Sequence, residues 1–240
     1  MMSSTLQIDG GGEGLAFDAY AALPQQPNGR AVVILHEIFG VNSAVRDLAQ
    51  RFAADGYVAI APDLYWRTEP GLALGYTREE TLRAMEIVKR FDHALALEDV
   101  GRVVDEARSW PDVRSGVAVV GLCLGGTLSF LAAADLDIDA AVAFYGTALE
   151  RHLDIVPRMR CPLMLQYGGK DRFIPADAVA QIAGALKGRS NAYVHTYPDA
   201  DHGFYTRGRA QDIALAHQRT LAFLDVAFAA RELRSATQRS

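Results

Sequence analysis

Apolar and polar positions fall into blocks along this chain. Short, nearly unbroken apolar runs read as strands buried on both faces: AVVILH (Ala31 to His36), YVAIAP (Tyr57 to Pro62), VAVVG (Val117 to Gly121), DAAVAFY (Asp139 to Tyr145), PLMLQY (Pro162 to Tyr167) and AYVHTY (Ala192 to Tyr197). Helical segments are expected between them over 44–54, from Thr77 to about Phe91, and over 99–110, 127–134, 177–186 and 210–231. Thr77 with Glu80 three residues on forms a capping box, and Pro111 stops the helix that ends at Trp110. Ile213, Leu221, Leu224 and Phe228 share one face of the last helix. Thr5 to Ile8 and Leu15 to Ala21, on either side of GGGEG, suggest an edge hairpin, while 64–75 and 146–160 read as loops. Strands and helices that alternate in this way imply parallel strands joined by right-handed crossovers.

Composition narrows the class. With 240 residues and 50% hydrophobic content, the chain suits one α/β domain over 1–240, and no linker divides it. A net charge of −5 provides no basic patch of the kind nucleic-acid binding needs. No apolar run nears the roughly 20 residues of a bilayer span, and no basic segment followed by an apolar stretch opens the chain. The expectation is a cytoplasmic protein acting on small molecules, a monomer or small homo-oligomer without membrane or nucleic-acid partners. Cys123 and Cys161 fall at opposite ends of parallel strands, on the order of 20 Å apart and beyond the roughly 7 Å limit of a disulfide, so Cys123 is expected to be a free thiol.

The stretch VAVVGLCLGG, Val117 to Gly126, has the pattern of a strand, a sharp turn and a helix. It matches the nucleophile elbow G-x-S-x-G with Cys123 in place of serine, where small neighbours let strand and helix approach and push the central side chain up alone. A thiol at a strand end and a helix N-terminus is favoured as thiolate. Two further groups lie just beyond strand ends: Asp171 in GGKD and His202 in PDADHGF. Taken singly, Cys123 reads as a small buried hydrophobe, Asp171 as a turn former and His202 as a loop histidine. Together they follow the chain order of α/β-hydrolase triads, with His202 the base and Asp171 its orienting acid. Backbone N–H groups of Leu124 and of Ile38, in the loop HEIFG, are the candidate oxyanion donors, each worth roughly 3 kcal/mol. Glu37 has two readings. It is either a salt-bridged strand-end carboxylate or a gate that keeps the Cys123 thiol neutral until substrate arrives.

The segments HEIFGVN, APDLY, GLCLGG, GGKDRFIP and DADHGF together resemble the dienelactone hydrolase (carboxymethylenebutenolidase) family, from about Arg30 to Leu224. The resemblance implies an α/β-hydrolase fold, a three-layer sandwich with helices on both faces of a central, mostly parallel sheet. It implies a Cys123, Asp171 and His202 triad with Glu37 gating the cysteine, and no metal or organic cofactor. The reaction it implies opens an enol-lactone, carboxymethylenebutenolide, to maleylacetate, a step in degradation of chlorinated aromatics. Thr81 and Thr206 stand where the family's carboxylate-holding arginines align, and Gly203 where it has a serine. Arg78, Arg83 and Arg207 lie one to three positions away and are candidates for a displaced clamp. Phe39, Tyr65, Trp66, Phe173, Phe204 and Tyr205 are candidate aromatics of the site mouth. The alternative readings are a carboxylesterase or thioesterase of small uncharged esters and, from another class, a non-catalytic thiol redox sensor.

Overall fold

The computed structural model describes residues 2–237, and the chain divides into two units, Met1–Val117 and Ala118–Ser240. In the first, β1 (Met2–Asp9) and β2 (Ala16–Leu23) pair antiparallel, in register from Met2 with Leu23 to Asp9 with Ala16. β2 then pairs antiparallel with β4 (Val58–Pro62), and β4 pairs parallel with β3 (Arg30–Leu35). β1 is largely exposed, as suits a polar edge strand, whereas β4 is buried throughout. The chain leaves β3 through the HEIFG loop into α1 (Ser43–Ala54), whose buried Val45, Leu48, Ala49 and Phe52 form one stripe. Asn42 caps α1 by accepting from the Val45 N–H, and its amide donates to the Leu74 carbonyl 32 residues on.

α2 (Arg78–Val88) starts at the expected capping box, with both Thr77 and Glu80 bonds present. α3 (His93–Ser109) begins six residues before the expected start because Asp92 accepts from the N–H groups of Ala94 and Leu95 and nucleates the extra turns. The expected loop over 64–75 is a series of turns held by Asp63, which accepts from the N–H groups of Tyr65 and Gly71.

In the second unit β5 (Gly116–Leu122), β6 (Ala140–Phe144), β7 (Leu163–Gly168) and β8 (Ala192–Tyr197) are parallel neighbours in that order. The first three are buried along their whole length, which is why their sequences are continuous rather than alternating apolar runs. α4 (Leu124–Asp135) follows β5 directly, α5 (Ala176–Ala185) follows β7, and the short α6 (Phe204–Arg207) and long α7 (Ala210–Thr237) close the unit. The expected loop over 146–160 is corrected in part: Leu149–Arg158 is a 3-10 helix broken at His152. Its buried Leu149, Ile155 and Val156 supply the packing, and Pro157 near its end costs little because a short 3-10 turn leaves few backbone donors to replace. α7 runs six residues past its expected end. No helix among the described residues is long and apolar enough to cross a membrane.

Candidate active site

The elbow is built from residues too small to keep strand and helix apart. A Cβ on Gly121 would meet the Gly125 carbonyl oxygen at 1.8 Å, and one on Gly126 would meet the Phe144 carbonyl oxygen at 2.7 Å. Cys123 therefore turns at φ 51 and ψ −110, a strained conformation for a residue with a side chain, and is the N-cap of α4. Its own N–H donates to Phe144 and its carbonyl accepts from Thr127, so backbone bonds on both sides hold the turn. Leu124 is the first residue of α4, and its N–H is among those that a helix start leaves without an intrahelical acceptor.

The acid and histidine loops are zipped together by their backbones. Gly169 N–H donates to the Tyr197 carbonyl and Lys170 N–H to the Ala200 carbonyl. The GG of GGKD allows this: a Cβ on Gly168 would lie 2.5 Å from the Ala200 carbonyl oxygen, and one on Gly169 2.7 Å from that of Pro198. Asp171 is buried, with one carboxylate oxygen accepting from Phe173 N–H at 2.8 Å and the other 2.7 Å from His202 Nδ1. That pairing places the proton on Nδ1 and leaves Nε2 for the Cys123 sulfur, with which the imidazole also hydrogen-bonds. Burial by itself lowers the His202 pKa, but the hydrogen bonds to Asp171 and Cys123 and their negative charges outweigh it and raise the value to about 10. A cationic imidazole facing a sulfur is the geometry of an activated thiol.

Around His202, Tyr145 lies tilted against the imidazole with ring centres 4.9 Å apart, and Phe173, 58% exposed, meets it edge-on at 5.1 Å. Phe173 is the aromatic that reaches solvent beside the histidine. Phe204 and Tyr205 are instead buried beneath, Phe204 against Tyr197 and Tyr145, and Tyr205 stacked on Phe144. Arg207 folds back over Gly203: a Cβ there would come within 2.2 Å of its guanidinium carbon, so the glycine next to His202 makes room for the cation. The same guanidinium donates to the Thr206 hydroxyl.

In the first unit, Glu37 is buried and accepts from the Tyr76 hydroxyl at 3.3 Å. His36 holds its loop. Leu64 N–H donates to Nε2, so Nδ1 carries the proton and donates to the Glu37 carbonyl at 2.6 Å. Desolvation lowers the His36 pKa and keeps the ring neutral in this structural role. Tyr65 donates to the Ile38 carbonyl, and Phe39 packs edge-on against Tyr76. Trp66 stacks on Phe17 and donates to Asp99, which is also gripped by Arg67. Arg83 lies 3.8 Å from Glu69, and Arg78 is exposed at the start of α2. Cys123 and Cys161 are both free, with burial foremost in pushing the Cys161 thiol up to about 12.

Sequence reasoning did not single out Tyr145, Tyr76 or His36 in these roles. Tyr145 and His36 stand at the ends of apolar runs, the only local signal either carries, and their partners are distant in sequence.

The dienelactone hydrolase family model matches residues 17–228. Carboxymethylenebutenolidases of Pseudomonas putida and Pseudomonas knackmussii are each 36% identical to the chain over 217 residues, covering 88% of it and 92% of the relative. A Klebsiella pneumoniae crystal structure described as a dienelactone hydrolase superposes with a TM-score of 0.75 at 32% identity, covering 95% of this chain and 99% of that one. An acylaminoacyl peptidase of Pyrococcus horikoshii, 16% identical with a TM-score of 0.68 over 93% of this chain and 41% of its own, shares the fold alone. The mostly parallel strands, the elbow and these likenesses make the fold that of the α/β-hydrolases, and the chain belongs to the dienelactone hydrolase family.

Proposed function

We propose that the chain hydrolyses an enol-lactone, carboxymethylenebutenolide to maleylacetate, or a closely related small ester, through a thioester on Cys123. The observation that carries this reading is the hydrogen-bonded line from Asp171 through His202 to the sulfur, with the His202 pKa raised to about 10. Cys123 Sγ, its proton passed to His202 Nε2, attacks the lactone carbonyl, and the N–H groups of Leu124 and Ile38 receive the developing oxyanion. The ring C–O bond then breaks and the enolate leaving group takes the proton from His202 Nε2. Water, losing a proton to His202, attacks the thioester, and the carboxylate product leaves the thiol free. Glu37 acts before the first step, its carboxylate disfavouring the thiolate until substrate shifts the balance.

The test is single turnover followed by intact mass. The expected result is an acyl adduct on Cys123, and loss of at least about 1,000-fold in kcat for Cys123→Ala with an unchanged circular dichroism spectrum. Turnover retained by Cys123→Ala would overturn the thioester route.

A second reading, hydrolysis of uncharged small esters, is favoured by Phe173 standing exposed beside His202 and by Thr81 and Thr206. Arg207, folded over Gly203, is the cation adjacent to the histidine and the residue that separates the two readings. If the carboxylated lactone is the substrate, Arg207→Gln raises KM for it roughly tenfold or more and leaves neutral aryl esters unaffected. Equal small effects on both substrates would favour the uncharged-ester reading.

A further inference from the structure

A groove of about 740 Å³ lies in the second unit, along the first residues of β7 and β8 and one face of α7. Its apolar walls include Met164, Tyr193, Phe223 and Val226, with Tyr193 edge-on to Phe223 at 5.8 Å. Two of these are unusually open for large apolar groups: Tyr193 is 44% exposed and Val226 67%. Among the same lining residues stand Arg160, Arg219 and His195, and no carboxylate. In a chain with 29 acidic residues against 24 basic ones, that local balance is the reverse of the whole.

Neither Arg160 nor Arg219 has a carboxylate partner among the described residues; Arg219 lies over the neutral ring of Tyr197, 5.1 Å from its centre. Two guanidinium groups without a countercharge, set in an apolar groove of small-ligand size, are complementary to one kind of molecule. The groove also stands apart from the triad. None of Cys123, Asp171 and His202 is among its lining residues, which run from Arg160 and Pro162 before β7 along β8 as far as His195.

We infer that this groove is a second binding site, separate from Cys123, for an amphipathic carboxylate: an anionic head held by Arg160 and Arg219 and an apolar body of about ten carbons along Tyr193, Phe223 and Val226. The groove is a binding site rather than a second reaction centre: neither a cysteine nor a carboxylate lines it, and burial foremost lowers the pKa of its one histidine, His195.

The experiment is isothermal titration of the full chain, with Cys123 alkylated by iodoacetamide, using decanoate below its micelle concentration and decanol as the neutral control. One equivalent of decanoate is expected to bind, at least tenfold more tightly than decanol. Arg160→Gln and Arg219→Gln should each weaken decanoate binding at least tenfold, and Ala222→Trp, which fills the groove, should do the same without removing a charge. In the unalkylated protein all three variants should keep the wild-type rate of aryl-ester hydrolysis and the wild-type melting temperature. The inference is overturned if binding does not saturate, if decanol matches decanoate, if the arginine and Ala222 variants all bind as the parent does, or if light scattering shows the groove covered by a second copy.

Discussion

His202 carries the strongest electrostatic signature in the site. Its hydrogen bonds to Asp171 and Cys123 overcome a burial that by itself would favour the neutral ring. Because its folded pKa of about 10 lies above the ordinary 6.5, the folded state binds this proton more tightly than the unfolded chain does. The stabilisation is complete below pH 6.5 and is lost as pH rises toward 10. Urea unfolding midpoints should therefore fall across that window, and the fall should be shallower in His202→Gln. Alkylating Cys123 removes one of the two groups that raise the pKa, so the imidazole signals in NMR should then titrate at lower pH. The Glu37 gate is tested in the same titration: if a nearby carboxylate opposes the thiolate, the Cys123 thiol ionises at lower pH in Glu37→Gln, and an unchanged curve removes the gate from the mechanism. Cys123, Asp171 and His202, the proposed triad, are recognisable residue by residue, since each sits in a turn motif beyond an apolar run. The supporting contacts are not. Tyr145 against His202, and Tyr76 on Glu37, join residues dozens of positions apart that carry no shared local pattern.

At the scale of elements, the elbow is the least tolerant part of the chain. Gly121→Ala sets a methyl group against the Gly125 carbonyl at 1.8 Å, and both partners are backbone, so the neighbour has no flexible end with which to yield. Destabilisation of about 3 kcal/mol or more is expected in urea titration, with reactivity of Cys123 toward iodoacetamide altered because α4 is displaced. The buried strands, β6 and β7 among them, are legible because two covered faces demand continuous apolar sequence. β8 spans the expected Ala192–Tyr197, but only Tyr197 of it is buried, so the expectation of two covered faces is corrected there. Helix starts are legible where a full capping box marks them, as at Thr77. Asp92 caps α3 with its side chain alone, and the six residues that follow it are gained from that cap rather than from the apolar period. The 3-10 helix at Leu149–Arg158 reads as loop in the sequence because it contains a proline and its apolar residues follow no 3.6-residue period; packing of Leu149, Ile155 and Val156 forms it.

For the molecule as a whole, a buried polar chain ties α7 to the parallel strands of the second unit: Tyr197 donates to the Gln166 amide oxygen, and the Gln166 amide nitrogen donates to Thr220. Gln166 and Thr220 are fully buried, so Thr220→Val keeps the volume but leaves an amide donor unpaired; thermal melts should show a loss of about 1–3 kcal/mol. The same helix buries Phe223, Leu224, Ala227 and Phe228 against its own unit and leaves Val226 outward, along the groove that carries Arg160 and Arg219. What the sequence by itself determined is whatever depends on neighbours in the chain: the alternation of strands and helices, the elbow at Cys123, and acid and histidine in order beyond later strands. Those follow from steric and hydrophobic patterns only a few residues long. Tertiary structure alone decided what depends on groups brought together from far apart: the proton on His202 Nδ1 facing Asp171, the neutral His36 bracing its loop, Trp66 committed to Asp99, and two arginines left facing an apolar groove. The physical reason is that a pKa, a tautomer or an uncompensated charge belongs to an environment, and that environment comes into being only when distant segments pack together.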